Sequence, residues 1–106
     1  MAKYLIEGNY VGAGVSGLLS EGGSSRRQAV ESLVASLGGS VESIYYAFGD
    51  TDVYVIVDLP DNASAVAASL VAGASGAVET SITVLLTPEE IDEAITKAPD
   101  YRPPGG

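Results

Sequence analysis

Two groups of residues in this 106-residue chain have types and spacing that could do chemistry. The first is Gly12-Ala13-Gly14-Val15-Ser16-Gly17, which fits G-x-G-x-x-G and follows a strand-like run. In a dinucleotide-binding fold such glycines let the backbone approach a pyrophosphate at a helix start. The second group gathers phenols and a carboxylate around one hairpin: Tyr45, Tyr46, Asp52 and Tyr54. Lys3 and Asn9 lie in the first strand-like run and Thr83 in the last. Phenols and carboxylates can pass protons, and hydroxyls and amides can orient a small ligand. Asp52 and Tyr54 are the candidates for a catalytic role, with Asp52 as a base. Cysteine and histidine are both absent, which removes thiolate and imidazole metal sites, Cys and Ser-His nucleophile systems and disulfides. A carboxylate-only metal site is the remaining option, and no acidic cluster offers one, so no metal and no cofactor is expected. Without histidine, a group poised near neutral pH requires burial to shift one.

The chain has room for one core. Fourteen acidic against five basic residues give a net charge of -9, which repels phosphate backbones and anionic lipid, so nucleic acid and membranes are not expected partners. No apolar run approaches the ~20 residues of a membrane span, and the N-terminal MAKYLIEGNY carries no cleavage pattern. The expected location is cytoplasmic.

The elements that must position these residues follow from periodicity and punctuation. Residues 3–10 alternate as a strand, with Tyr4, Ile6 and Tyr10 on one side and Lys3, Glu7 and Asn9 on the other; Leu5 is the exception. The glycines at 8, 12, 14, 17, 22 and 23 predict a loose connection, mobile from Gly12 to Gly23, with room for one helical turn at Val15 to Ser20. Ser25-Arg26-Arg27-Gln28 reads as a capping box, and Val30, Leu33, Val34 and Leu37 follow at helical spacing until Gly38-Gly39. Two β-rich runs separated by Gly49-Asp50-Thr51 are too close for a parallel crossover and form an antiparallel hairpin. Asp61 or Asn62 caps a helix whose apolar stripe is Val66, Ala67, Leu70, Val71 and Ala74. A fourth strand, AVETSITVLL, leads to Thr87-Pro88-Glu89-Glu90, a capped start for a short helix ending near Lys97. The order β, α, β, β, α, β predicts an α+β, ferredoxin-like fold with an antiparallel four-stranded sheet. One domain over residues 1–98 is followed by an extended proline-rich tail, 99–106.

This order settles the glycine motif. A dinucleotide site needs a tight strand-to-helix turn, a parallel second strand and an acidic residue at a strand end about twenty positions on. Here the helix begins only near Ser25 and Glu31 falls inside it, so GAGVSG is read as a flexible lip.

Such a sheet carries its long helices on one face and leaves the other bare. Val53, Val55 and Val57 should meet the helices, which puts Asp52, Tyr54, Ile56 and Asp58 on the open face; Thr83 joins them from the last strand with Glu79, Ser81 and Leu85. In the second strand Val41, Ser43, Tyr45 and Ala47 share one side and Glu42, Ile44, Tyr46 and Phe48 the other, so one of Tyr45 and Tyr46 projects onto the open face. That face is too apolar for water and too polar for a dry core. A second copy stacked over it would cover the face and leave a pocket lined by Asp52, Tyr54, Thr83, one of Tyr45 and Tyr46, and Lys3 or Asn9. Arg26 and Arg27, at a helix start where they oppose the macrodipole, should pair with Glu21 or Glu31 or hold an anionic group.

Across KYLIEGNY, the stretch from Gly22 to Gly39, the hairpin YYAFGDTDVYVIVDLPDN and LLTPEEIDEA, the chain resembles the GYD-domain family of small bacterial proteins in the dimeric α+β barrel group. The family's naming motif falls on Gly49-Asp50-Thr51-Asp52, with Thr51 where tyrosine is usual. The resemblance implies a fold and a homodimer, or a multiple of one, rather than a reaction. The expectation is therefore a small-molecule site between sheet and partner, serving a cofactor-free enzyme or a ligand sensor. The alternative is a structural or regulatory oligomer whose barrel is packed.

Overall fold

The computed structural model describes residues 1–47 and 49–106. In chain order the elements are β1 (Ala2–Tyr10), α1 (Gly14–Glu21), α2 (Gly23–Ser36), β2 (Ser40–Tyr46), β3 (Val53–Leu59), α3 (Asn62–Ala74), β4 (Val78–Leu85) and α4 (Pro88–Thr96). The strands form one antiparallel sheet in the order β2-β3-β1-β4, the ferredoxin-like arrangement that the βαββαβ pattern predicts.

Alternation places the core. Val53, Val55, Val57 and Leu59 of β3 are buried under the helices with Tyr4 of β1, Val34 of α2 and Ala65 of α3. The Tyr4 hydroxyl reaches the interior edge and donates to Asn62 Oδ1 at 2.6 Å, tying β1 to the start of α3. Asp61 caps α3, accepting from the Ser64 amide at 2.8 Å. Thr87 and Glu90 complete a reciprocal capping box on α4, with Pro88 in the first turn.

The structure departs from expectation in three places. The glycine-rich connection is two helices rather than a loose loop. Gly22, at φ 82°, allows α1 to end and α2 to begin within one residue. The Gly22 amide closes α1 on Leu18 O and its carbonyl opens α2 by accepting from Arg26. Ser25 therefore lies inside α2, and the expected capping box does not form. Each glycine of GAGVSG has a different position: Gly12 turns at φ 55°, a Cβ on Gly14 would run into the Ala77 carbonyl, and Gly17 has open space.

The second departure is a β-bulge in β2. Val41 pairs with Val57 and Ser43 with Ile56, so Glu42 is an extra residue and the side-chain phase flips across it. Val41 and Ile44 both pack against the core, and the strict alternation expected from Val41 onward does not hold. Phe48, which that reading also assigned to a side, lies outside the described residues.

The third lies in α3. Its stripe is not Val66, Leu70 and Val71, which are 52%, 68% and 60% exposed, but the small residues Ala65 and Ala68, which are buried. Both faces of this helix are apolar, so periodicity could not choose between them.

Helix α4 buries no residue, and Ile91 and Ile95, one turn apart, are exposed on it. Residues 97–106 are exposed throughout, and the chain is 56 Å along its longest axis against 32 and 23 Å across.

Candidate functional site

The face of the sheet away from the helices is ordered in rows by the strand register. One end row holds Asp58 and Lys3 as cross-strand partners, with Leu85 beyond Lys3. The next row is Ser43, Ile56, Leu5 and Thr83, and the one after it Tyr45, Tyr54, Glu7 and Ser81. Asn9 and Glu79 follow. Leu5, the exception to alternation in the first strand, is thus the apolar centre of this face beside Ile56. Tyr45 is 72% and Tyr54 38% exposed, directly opposite one another.

The polar groups around this centre are mostly engaged. Lys3 Nζ donates to Glu42 at 2.9 Å and to Asp58 at 3.0 Å, and these two carboxylates hold the ammonium above the usual lysine range. Lys3 is therefore a fixed cation and not a proton shuttle. Thr51 Oγ1 donates to Glu7 Oε1 at 3.3 Å, which places Thr51 over the edge of the same face. Asn9 Oδ1 accepts from the Asp52 amide at 3.0 Å.

Asp52 has a structural task. Its Oδ2 accepts the Tyr10 amide at 3.0 Å, and its backbone closes the hairpin by accepting from Ala47 at 2.9 Å. The carboxylate fastens the turn to the end of β1 and borders a hollow with Tyr10, Val15, Leu18 and Tyr46. Tyr46 belongs to that side too. It pairs with Val53, packs on Gly23 and lies with the helices, so Tyr45 alone of the two adjacent tyrosines takes the open face. Burial, and then hydrogen bonding with Tyr10, push the Tyr46 phenol up to about 12, which keeps it neutral and a donor.

Of the residues singled out from sequence, the structure brings Lys3, Asn9, Tyr45, Tyr54 and Thr83 onto one face and separates from them Tyr46 and also Asp52, which was expected on the open face but whose carboxylate turns to the Tyr10 amide. The arginines pair as expected, Arg27 with Glu31 at 2.9 Å and Arg26 more loosely with Glu21 at 3.7 Å. Glu7 and Leu5 were not named as site residues. Alternation already put Glu7 beside Lys3 and Asn9, and that was the signal for it. Chemically the two middle rows of the face offer two phenols, one carboxylate, three aliphatic hydroxyls and two aliphatic side chains. The Glu7 carboxylate and the Tyr54 phenol belong to residues that are direct neighbours across β1 and β3. Among the described residues, no group of three or more carboxylates is gathered to hold a metal ion, and no helix is long and apolar enough to cross a membrane.

A family model described as the GYD domain matches residues 4–95, a span that runs from within β1 into α4 and includes all of β2, β3 and β4. No curated protein and no solved structure matches the chain.

Proposed function

The chain belongs to the GYD-domain family, and on that footing we propose that it is a self-associating module for small molecules, in which a second copy covers the open sheet face and a ligand is held between the two sheets. The observation that carries this reading is the face itself. Leu5, Ile56, Tyr45 and Tyr54 form a continuous apolar and aromatic centre on the face away from the helices that cover the core, with Tyr45 72% and Tyr54 38% exposed, and Lys3, Asp58, Asn9 and Glu79 border it at the two ends. An apolar centre with a polar rim is how an interface is built. Phenols and hydroxyls inside it give a ligand orientation as well as burial.

Helix α4 supports the same reading. Nine residues are too few for a helix to be stable alone in water, and capping adds only a little. Its Ile91 and Ile95 remain 46% and 75% exposed. A second copy supplies a surface for them. Within the closed assembly Tyr54 and Glu7 would face the ligand, with Thr83 and Tyr45 beside them, and this is the group that serves either binding or cofactor-free proton transfer.

Size-exclusion chromatography with light scattering at micromolar concentration tests the pairing: a dimer or a multiple of a dimer is expected, and a monomer overturns it. Native mass spectrometry of freshly purified protein tests the ligand. A retained small molecule supports the binding function, whereas an assembly that retains none, and whose melting temperature no compound shifts, has a packed interior and no ligand function.

A further inference from the structure

On the other side of the sheet, α2 packs over β2 and α3 over β4, and the two helices have little contact with each other. Between them lies a cavity of about 120 Å³, with Gly8 in its floor. A Cβ at Gly8 would stand 3.0 Å from Val53 Cγ1 and 3.4 Å from Val78 Cγ1, so glycine keeps the floor low. The walls are small on the α3 side, Ala68, Ser69 and Ala72, because Val66, Leu70 and Val71 point away from the core. An empty apolar space of this kind forfeits the packing contacts of everything lining it. A void of about 150 Å³ with apolar walls takes up a benzene molecule.

Two polar features distinguish this cavity from a packing defect. Ser69 and Thr80 bond hydroxyl to hydroxyl on its β4 side. Arg26, one of only three arginines in a chain of net charge -9, also lines it. Its ion pair with Glu21 is long at 3.7 Å, and its side chain is 29% exposed. Arg26 also sits in the first turn of α2, where the helix dipole adds to its positive potential. A guanidinium on an apolar hollow is suited to one kind of guest, an apolar body that ends in a carboxylate.

We propose that this cavity is a second binding site, separate from the open face, for a small monocarboxylic acid whose apolar body has about the bulk of one six-membered ring. The body lies against Gly8, Val53, Ala68 and Ala72, and the carboxylate exchanges the loose Glu21 contact for a charge-assisted one to Arg26.

The test uses the full chain with methyl-detected NMR titration of benzoate and, as its uncharged counterpart, toluene. Saturable benzoate shifts are expected at the methyls of Val53, Ala68, Ala72 and Val78. Arg26→Gln should weaken benzoate at least roughly tenfold and leave toluene unchanged, as loss of one charge-assisted contact requires. Ala72→Leu should abolish both; if that variant does not fold, Ala29→Leu fills the space from the opposite wall. Benzoate that causes no saturable shift at these methyls overturns the proposal, and so does an Arg26→Gln protein that binds it as tightly as the parent. Shifts confined to Leu5, Ile56 and Thr83 also overturn it and assign the acid to the open face instead, so the two sites fail separately.

Discussion

Tyr45 and Tyr54 are direct cross-strand partners on the uncovered face of the sheet, and the Tyr54 ring has Glu7 as its partner on the other side. Neither ring belongs to the core under the helices. Tyr54→Ala should therefore leave the folded chain intact while weakening self-association and ligand retention. Removing a large aromatic from a packed core would instead cost about 3–5 kcal/mol. Chemical denaturation at low protein concentration, read beside light scattering, separates the outcomes. A Tyr54→Ala chain that no longer folds would place this ring in a core and remove it from any binding surface.

Asp52 and Tyr54 are two residues apart and do different work. The Asp52 carboxylate accepts the Tyr10 amide at 3.0 Å, a bond that fixes the hairpin to β1. Asp52→Ala should destabilise the fold by about 1–3 kcal/mol, the usual cost of leaving a partly buried backbone donor without a charged acceptor. Asp52→Asn, which retains an acceptor oxygen, should recover much of that. Equilibrium urea unfolding of the pair of variants is the measurement, and equal stability of Asp52→Ala and the parent would show that the bond contributes nothing.

The faces of β3 were legible in the sequence because Val53, Val55 and Val57 alternate with Tyr54, Ile56 and Asp58, a uniform series against a mixed one. Asp61 and the Thr87–Glu90 box were legible because a cap is a local bond between residues three apart. What escaped depended on distant contacts. Glu42 reads as an ordinary strand residue, and only its position opposite the Val57–Ile56 step makes it a bulge. Gly14 reads as a helix breaker, yet α1 begins there because Ala77, sixty-three residues on, leaves room for no side chain. In α3, alanines and larger aliphatics occupy opposite faces, and which face turns inward is decided by how closely the helix approaches β4. Alternation assembled most of the open face but could not choose Tyr45 over Tyr46 and misplaced Asp52, whereas the cavity between α2 and α3 is a property of two helices set apart and has no signature along the chain.

The glycine motif yields a comparison within one helix. Gly14→Ala would place a methyl group in the Ala77 carbonyl and force α1 away from the sheet, whereas Gly17→Ala meets open space at a helical position. Gly14→Ala should lower the melting temperature markedly. Gly17→Ala should hold or raise it, since alanine favours a helix over glycine by about 1 kcal/mol. Thermal denaturation followed by circular dichroism decides the matter. If the two substitutions have equal effects, the motif is not organised by the Ala77 contact. Calorimetric titration with nicotinamide or flavin dinucleotides should give no saturable heat with the parent chain.

The Tyr46 phenol gives the fold a dependence on alkaline pH whose sign is fixed. Burial and the bond with Tyr10 raise its folded value from 10.0 to about 12, so the folded chain keeps a proton that the unfolded chain releases. Below pH 10 both states are protonated and the contribution of the neutral phenol is fully present. Between pH 10 and about 12 only the unfolded state ionises, and stability falls as pH rises through that window. Tyr46→Phe removes the group, and its stability should decline less over the same interval. Urea midpoints measured at intervals across the window, with the phenolate absorbance of parent and variant compared in parallel, test both halves of the argument. The difference spectrum should show one phenolate forming near the top of the window and absent from Tyr46→Phe. A phenolate that forms at the ordinary tyrosine value in the folded parent would mean that neither partial burial nor the bond with Tyr10 acts on Tyr46, and the packing of its ring against Gly23 would have to be abandoned.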